Sequence, residues 1–214
     1  MLYKVTKDNG KPAHGGSGQW YLPKGKRPGK WMPKIENIQP CERGYRLCKP
    51  EHLILWLDEE IWIAEYKGEM IEQDDKIVVQ QARLVSRVET WNERNARLFA
   101  ADCAEHVLLI WEEKYPNDTR PHEAIAVTRA YANGKASKGE LSAARDAARS
   151  AAWSAAGDAA WYAAWSATWS AAGYAAWYAA RDAARSAAGY AAEKKWQTEL
   201  LFDYLEVAKG GSDD

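Results

Sequence analysis

Long apolar runs are missing from this 214-residue chain. None approaches the roughly 18 apolar residues that a membrane-spanning helix needs, and Met1-Leu2-Tyr3-Lys4-Val5 lacks the apolar stretch of a secretory signal. Cysteine is scarce: Cys41, Cys48 and Cys103 are an odd three, which argues against a disulfide framework. A net charge of −1 argues against a dedicated polycation or a global DNA mimic. The expectation is a reduced, cytoplasmic protein with no membrane partner. Phenylalanine is also rare, with 2 residues against 12 Trp, and alanine is plainly in excess. Such a bias cannot be spread evenly along an ordinary globular sequence and points to a repeat. With 47% hydrophobic and 28% charged residues, the chain has enough apolar surface to bury a core.

The near-neutral total hides a partition. Residues 1–50 carry 11 Lys/Arg against 3 Asp/Glu, a net of +8. Residues 51–142 carry 11 against 18, a net of −7, and residues 143–214 carry 7 against 9. The basic head is punctuated by Gly and Pro, which oppose long helices. Its aromatics interleave with cations in Trp20, Tyr21, Lys24, Lys26, Arg27, Lys30 and Trp31. That mixture could hold a single strand or a phosphate-bearing ligand. The blander reading, a loop-rich cap with solvated lysines and anchoring aromatics, is favoured because no nucleic-acid motif is present.

Residues 1–90 read as a small α+β module. Pro50–Leu57 suits a short helix begun by proline. The β-branched and aromatic segments Ile61–Tyr66 and Ile77–Val88 read as strands, with Glu72-Gln73-Asp74-Asp75 as the turn between them. From residue 91 the period becomes helical. Asn92 can cap a helix running to about Tyr115, which Pro116-Asn117-Asp118 ends. A second helix runs from about Pro121 to Asn133-Gly134. Ser137 and Glu140 then stand at capping-box spacing for a third. Trp196, Leu200, Leu201, Tyr204 and Leu205 give an amphipathic closing helix. The fold class is therefore α+β: a basic module over 1–90, an all-α, Ala-rich helical bundle or array over 91–208, and a tail over 209–214.

Residues 143–194 divide into 13 tetrads. Position one is always Ala, and position two is Ala except at Thr168. Position three carries Arg145, Arg149, Trp153, Trp161, Trp165, Trp169, Trp177, Arg181 and Arg185, as well as glycines and Glu193. Alanine without proline dictates helix. At about 100° per residue, each tetrad advances the Ala-Ala stripe by about 40°. One straight helix cannot serve a single flat interface over that length, so two or more helices packed through small faces are expected. The Trp/Arg residues form a slowly turning ridge of types enriched in binding hot spots. They are candidates for partner binding or self-association, although rings filling space between Ala-lined helices would be the commoner use, since a large exposed Trp patch promotes aggregation.

Catalytic chemistry finds little support. Cys41 and Cys48, with His14 and His52 nearby in sequence, lack zinc-like spacing and are expected as half-buried thiols. Cys103 is expected to pack inside a helix. His106 and His122 have no nucleophile frame. Asp58, Glu59 and Glu60, like Asp74 and Asp75, read as solvated acidic runs. Gly15-Gly16-Ser17-Gly18 is no P-loop. No catalytic residue, metal or cofactor is expected.

The run Arg97–Leu108, then Tyr115–Ile125, then an Ala/Trp/Arg array ending at Trp196, resembles the immunity proteins, an all-helical family of bacteria and phages named from association with toxin systems. Cys41–Cys48 and Asp74–Val79 resemble an uncharacterised module often joined to that helical region. Many relatives have His where this chain has Arg46, so any catalytic role of that His would be in doubt here.

The resemblance implies a non-enzymatic binding protein of microbial conflict, encoded by a phage or mobile element and acting in a bacterial cytoplasm. Its partner would be a protein: a host-defence factor, nuclease or toxin. Homo-oligomers remain open, and nucleic acid is not favoured. The alternative is a front module that binds or modifies a nucleotide, with His14, Arg43, Tyr45, Arg46 and Lys49 lining an anion site.

Overall fold

The computed structural model describes residues 1–106, 108–155 and 190–206. The chain forms two compact units, Met1–Trp91 with Leu205–Asp214, and Asn92–Tyr204.

The first unit is an antiparallel sheet of β1 (Leu2–Lys7), β2 (Lys11–Pro12), β3 (Tyr45–Leu47), β4 (Glu60–Glu72) and β5 (Ile77–Arg87), in the order β2-β1-β4-β5-β3. A one-turn helix, α1 (Pro50–Leu53), follows β3, with proline at its start. The expected hairpin is present, but β4 runs through Glu72 and the turn closes one residue later, where the Gln73 amide donates to the Lys76 carbonyl at 2.8 Å. The β4–β5 register slips between Lys67 and Met70, where Gly68 adopts φ +82°. Such an extra residue bends the strand.

Trp62 and Ala64 of β4 bury against Ile77, Val79, Ala82 and Leu84 of β5, with Leu47 and Trp20 completing that core. Their strand neighbours Tyr3, Val5, Ile61 and Val78 are buried as well. Burial on both faces accounts for the incomplete alternation in the sequence. Beyond β3, Cys48 and Tyr3 exchange two backbone hydrogen bonds of 2.8 Å. This bridge joins the β3 end of the sheet back to β1, so the strands curl toward a small barrel.

The acidic run Asp58–Glu60 is not solvated as expected: Asp58 and Glu60 are both buried, only Glu59 staying exposed. Glu60 accepts from Thr6 Oγ1 at 2.9 Å, the Gly10 amide at 3.0 Å, the Asn9 amide at 3.3 Å and Trp62 Nε1 at 3.2 Å. Arg87 lies 3.6 Å away. A buried carboxylate is tolerated when its lone pairs are met in this way. The cysteines divide too: Cys48 is buried and Cys41 exposed.

The second unit contains α2 (Glu93–His106), α3 (Leu108–Lys114), α4 (Arg120–Ala132), α5 (Lys138–Ala155) and all but the last residue of α6 (Tyr190–Leu205). Asn92 caps α2 through its side-chain oxygen, 3.0 Å from the Asn95 amide. Helices α2 and α3 cover the stretch expected to be helical from Asn92 to about Tyr115, residue 107 lying outside the described residues. Gly134 at φ +69° stops α4, and the Lys135 amide reaches back to the Ala130 carbonyl at 2.8 Å. The capping box is formed: the Ser137 amide donates to Glu140 at 2.7 Å and the Glu140 amide to Ser137 Oγ at 3.2 Å. Small residues let α2 and α4 approach, with Ala101, Ala104, Leu108 and Ile125 sharing a core and Tyr115 against it. Cys103 is fully buried, as its alanine neighbours suggest. In α5, Leu141 and Ala148 are buried while Ala143 and Ala147 face out. The second alanine of these tetrads therefore turns inward and the first does not. The α+β class holds; most of the expected Ala-rich array, residues 156–189, lies outside the described residues.

Glu60→Ala should lower the unfolding free energy by about 3 kcal/mol, since it strands several buried donors. Glu60→Gln, which keeps the shape and one acceptor, should cost less than half of that. Urea denaturation of both variants checks the order, and equal losses would show that packing rather than hydrogen bonding fixes this site.

Candidate functional site

Period-two alternation divides the expected anion-binding set. Tyr45 and Arg46 are adjacent in β3 and so project from opposite faces. Tyr45 packs edge-on to Trp20, with ring centroids 5.5 Å apart, and its hydroxyl donates to the Pro33 carbonyl at 2.7 Å. Burial raises its hydroxyl above the usual range. Lys49 pairs with Glu72 at 2.5 Å, and Arg43 is exposed in the loop before β3.

The other two members, His14 and Arg46, do meet. They line a narrow cleft of about 30 Å³ with Lys4, Cys48, Trp56 and Lys76. The Lys4 ammonium donates to the Arg46 carbonyl at 3.1 Å. His14 holds φ +54°, sets its ring edge-on to Trp56 at 5.3 Å, and brings Nε2 to 3.1 Å from the Trp56 carbonyl and 3.8 Å from Asp58. Burial lowers the Lys4 ammonium to about 8, the neighbouring Arg46 charge adding to the fall. Burial likewise pushes the Cys48 thiol up to about 12, leaving it protonated and unreactive. Asp58 is raised by burial, with one carboxylate oxygen lacking a hydrogen-bond donor.

A space of this size holds a water or a single small ion, whereas small-molecule pockets run to several hundred Å³. Sequence reasoning missed Lys4, Trp56 and Lys76 here. They come from three separate segments: the Cys48–Tyr3 bridge brings in Lys4, and the β3–β5 ladder brings in Lys76. Among the described residues, no three His, Cys, Asp or Glu side chains group closely enough for a metal ion.

In the helical unit, polar side chains bind helices to one another. Arg129 of α4 forks onto Asp102 and Glu105 of α2, each at 2.6 Å. The hydrogen bond with Glu105 raises the guanidinium and lowers that carboxylate. Tyr204 of α6 donates to Asp102 at 2.6 Å, and burial, followed by this bond, raises its hydroxyl. His106 stacks flat on Trp196, centroids 3.7 Å apart, and approaches Glu193 at 3.1 Å. Arg120 pairs with Asp118 and His122 with Glu112. On α3, Leu109 is 67% exposed, a large apolar side chain facing solvent.

These pairings relocate the acidic middle of the chain. Residues 51–91 carry 10 acids against 4 bases, whereas residues 92–142 carry 8 against 7. The acidic excess thus belongs to the sheet unit, and the helical unit spends much of its charge internally.

Of the Trp/Arg ridge, Arg145 lies on α5 at the margin of the buried face, half-exposed and 3.8 Å from Asp146. Arg149 and Trp153 follow on the same helix. Trp161, Trp165, Trp169, Trp177, Arg181 and Arg185 lie outside the described residues.

Comparison with known proteins adds one finding. Residues 86–204 match the family model described as Imm-5 like putative immunity protein. No curated protein and no solved structure matches the chain. The matched span takes in the whole helical unit, and most of the sheet unit lies before it.

Replacing Lys4 tests the cleft. Its ammonium titrates lower in the folded than in the unfolded chain, so between about pH 8 and 10.5 the unfolded state binds more protons. Stability from this group therefore rises with pH through that window, and its cost is fully present below pH 8. Lys4→Met should stabilise the protein at pH 7 by on the order of 1–2 kcal/mol, and the gain should shrink toward pH 10.5. Denaturant curves at pH 7 and 10 check it; a pH-independent difference would show that packing alone changed.

Proposed function

The chain belongs to the Imm-5 like immunity protein family, and we propose that it is a non-enzymatic binding protein that neutralises a toxin by direct occlusion. The observation that carries this reading is the family match over residues 86–204. We place the protein in microbial conflict, encoded by a phage or a mobile element and acting in a bacterial cytoplasm against a toxin, nuclease or defence factor.

The proposed contact surface is the Trp/Arg ridge of the tetrads. What supports it is the geometry of α5. Leu141 and Ala148 define the buried face, and third positions step about 40° further round with each tetrad. Arg145 lies beside that face. A ridge that begins at the margin of a packed face and turns away from it offers successive bulky residues to a partner. Hot spots built from Trp, Tyr and Arg act in that manner. The acids of this unit contribute less to such a surface, because Asp102, Glu105 and Asp118 already have arginine partners.

Capture of host proteins on the tagged full chain should recover one stoichiometric toxin-like or nuclease-like partner. Trp165→Ala with Arg181→Ala should weaken that complex at least tenfold without changing the thermal unfolding midpoint. Recovery of the same partner at unchanged affinity by the double variant would remove the ridge from the interface, and recovery of no partner would count against neutralisation by binding.

A further inference from the structure

We infer a second binding function, in the sheet unit and outside the family match: residues 21–34 and the groove beside them form a non-specific site for single-stranded nucleic acid. The segment carries Lys24, Lys26, Arg27, Lys30 and Lys34 and no acid. All five side chains are exposed. Lys34 pairs with Glu36 at 2.7 Å, while the other four have no ion-pair partner among the described residues.

These cations sit on a built scaffold. Lys24 and Arg27 exchange backbone hydrogen bonds of 2.9 and 3.1 Å across a tight turn in which Gly25 adopts φ +58°. At the base of this turn the chain passes itself so closely that a Cβ on Gly29 would collide with the Tyr21 carbonyl oxygen. The segment is then tied along the part of β5 that continues beyond its pairing with β3. The Gly29, Met32 and Ile35 amides donate to the Leu84, Ala82 and Gln80 carbonyls at 2.8, 2.9 and 3.0 Å. A basic turn held in this way presents its charges with little ordering left to do on binding.

Aromatic surface adjoins the charge. Trp31 continues the segment, with Lys67 4.3 Å and Arg83 4.6 Å from its ring. These three line an open groove of about 500 Å³ with Tyr66 and with Glu65, whose carboxylate pairs with Arg83 at 2.6 Å, so Lys67 is the groove's free cation among the described residues. Tyr21 and Tyr66 are both exposed. Charges for phosphates beside rings for bases are the elements of single-strand binding. A duplex is the poorer fit, because α1, the only α-helix of Met1–Trp91, has four residues and cannot serve as a recognition helix.

The experiment is fluorescence anisotropy of the full chain with labelled 20-nucleotide oligo-dT, the matching duplex and polyglutamate. Four phosphate contacts on a single strand predict an affinity that falls about 50-fold between 50 and 200 mM salt. The variant Lys24→Ala/Lys26→Ala/Arg27→Ala/Lys30→Ala should lose nearly all of that salt dependence and at least tenfold in affinity at 50 mM. Tyr66→Ala should weaken binding several-fold with the salt slope unchanged. Lys26→Glu, a single change at the exposed turn, serves if the quadruple variant unfolds. Absence of binding at 50 mM, salt-independent binding, or equal affinity for duplex or polyglutamate would overturn the proposal. Toxin capture by the helical unit is read separately, so either function can fail alone.

Discussion

One buried carboxylate organises much of the sheet unit. Glu60 opens β4, yet its partners come from β1, the turn after it, β4 itself and β5. By accepting from two successive turn amides, it holds Asn9 and Gly10 in the left-handed region, at φ +58° and +69°. That conformation suits glycine and is tolerated by asparagine. The turn in turn receives the next segment: the Trp20 amide donates to the Gly10 carbonyl at 3.2 Å, and Gln19 reaches the Asn9 carbonyl at 2.6 Å. Trp20 is thereby seated in the core, and the basic segment starts from a fixed point immediately after it. A Cβ on Gly10 would run into Leu22, which shows how tightly this junction is closed.

Local patterns were legible where neighbours in sequence are also partners in space. The β4–β5 hairpin, the Ser137–Glu140 capping box and the Asn133-Gly134 stop are decided within a few residues, and all are present. The run Asp58–Glu60 was misread for the opposite reason. A stretch of acids ordinarily stays in water, and nothing adjacent in sequence announces that Thr6 and Gly10 supply donors from about 50 positions away. The anion-binding set failed to assemble fully on a simpler ground. Tyr45 and Arg46 are neighbours in a strand, so they cannot share a face, whereas Lys4 comes near Arg46 because Cys48 bridges to Tyr3, and Lys76 because Ile77 pairs with Leu47. The family resemblance was legible because it rests on continuous runs of sequence, which the match over residues 86–204 covers.

The two units use charge differently. In the helical unit, Arg129, Arg120 and His122 are committed to acids of the same unit, and Arg97 is buried beside Glu93 while its guanidinium lies 4.9 Å from the Tyr131 ring. Charges fixed in internal pairs contribute little net field, so association through this unit would depend on apolar and aromatic contact. Leu109 is the clearest described example of such surface. In the sheet unit, the cations of residues 21–34 other than Lys34 have no ion-pair partner among the described residues, and the acids gather later in the sequence, along 51–91.

That contrast bears on specificity. A surface of bulky side chains with its charges neutralised discriminates partners by shape, and its complexes are distinguished mainly by how slowly they dissociate. A preorganised cluster of unpaired cations acts over a Debye length, so it accelerates encounter and weakens with salt. One chain carrying both could meet a nucleic-acid-bound target through the sheet unit and hold it through the helical unit. The second contact would then be made at an effective concentration set by the first. In such an arrangement, neither surface needs high affinity alone. The whole chain would then outcompete either unit only where the partner and nucleic acid are found together.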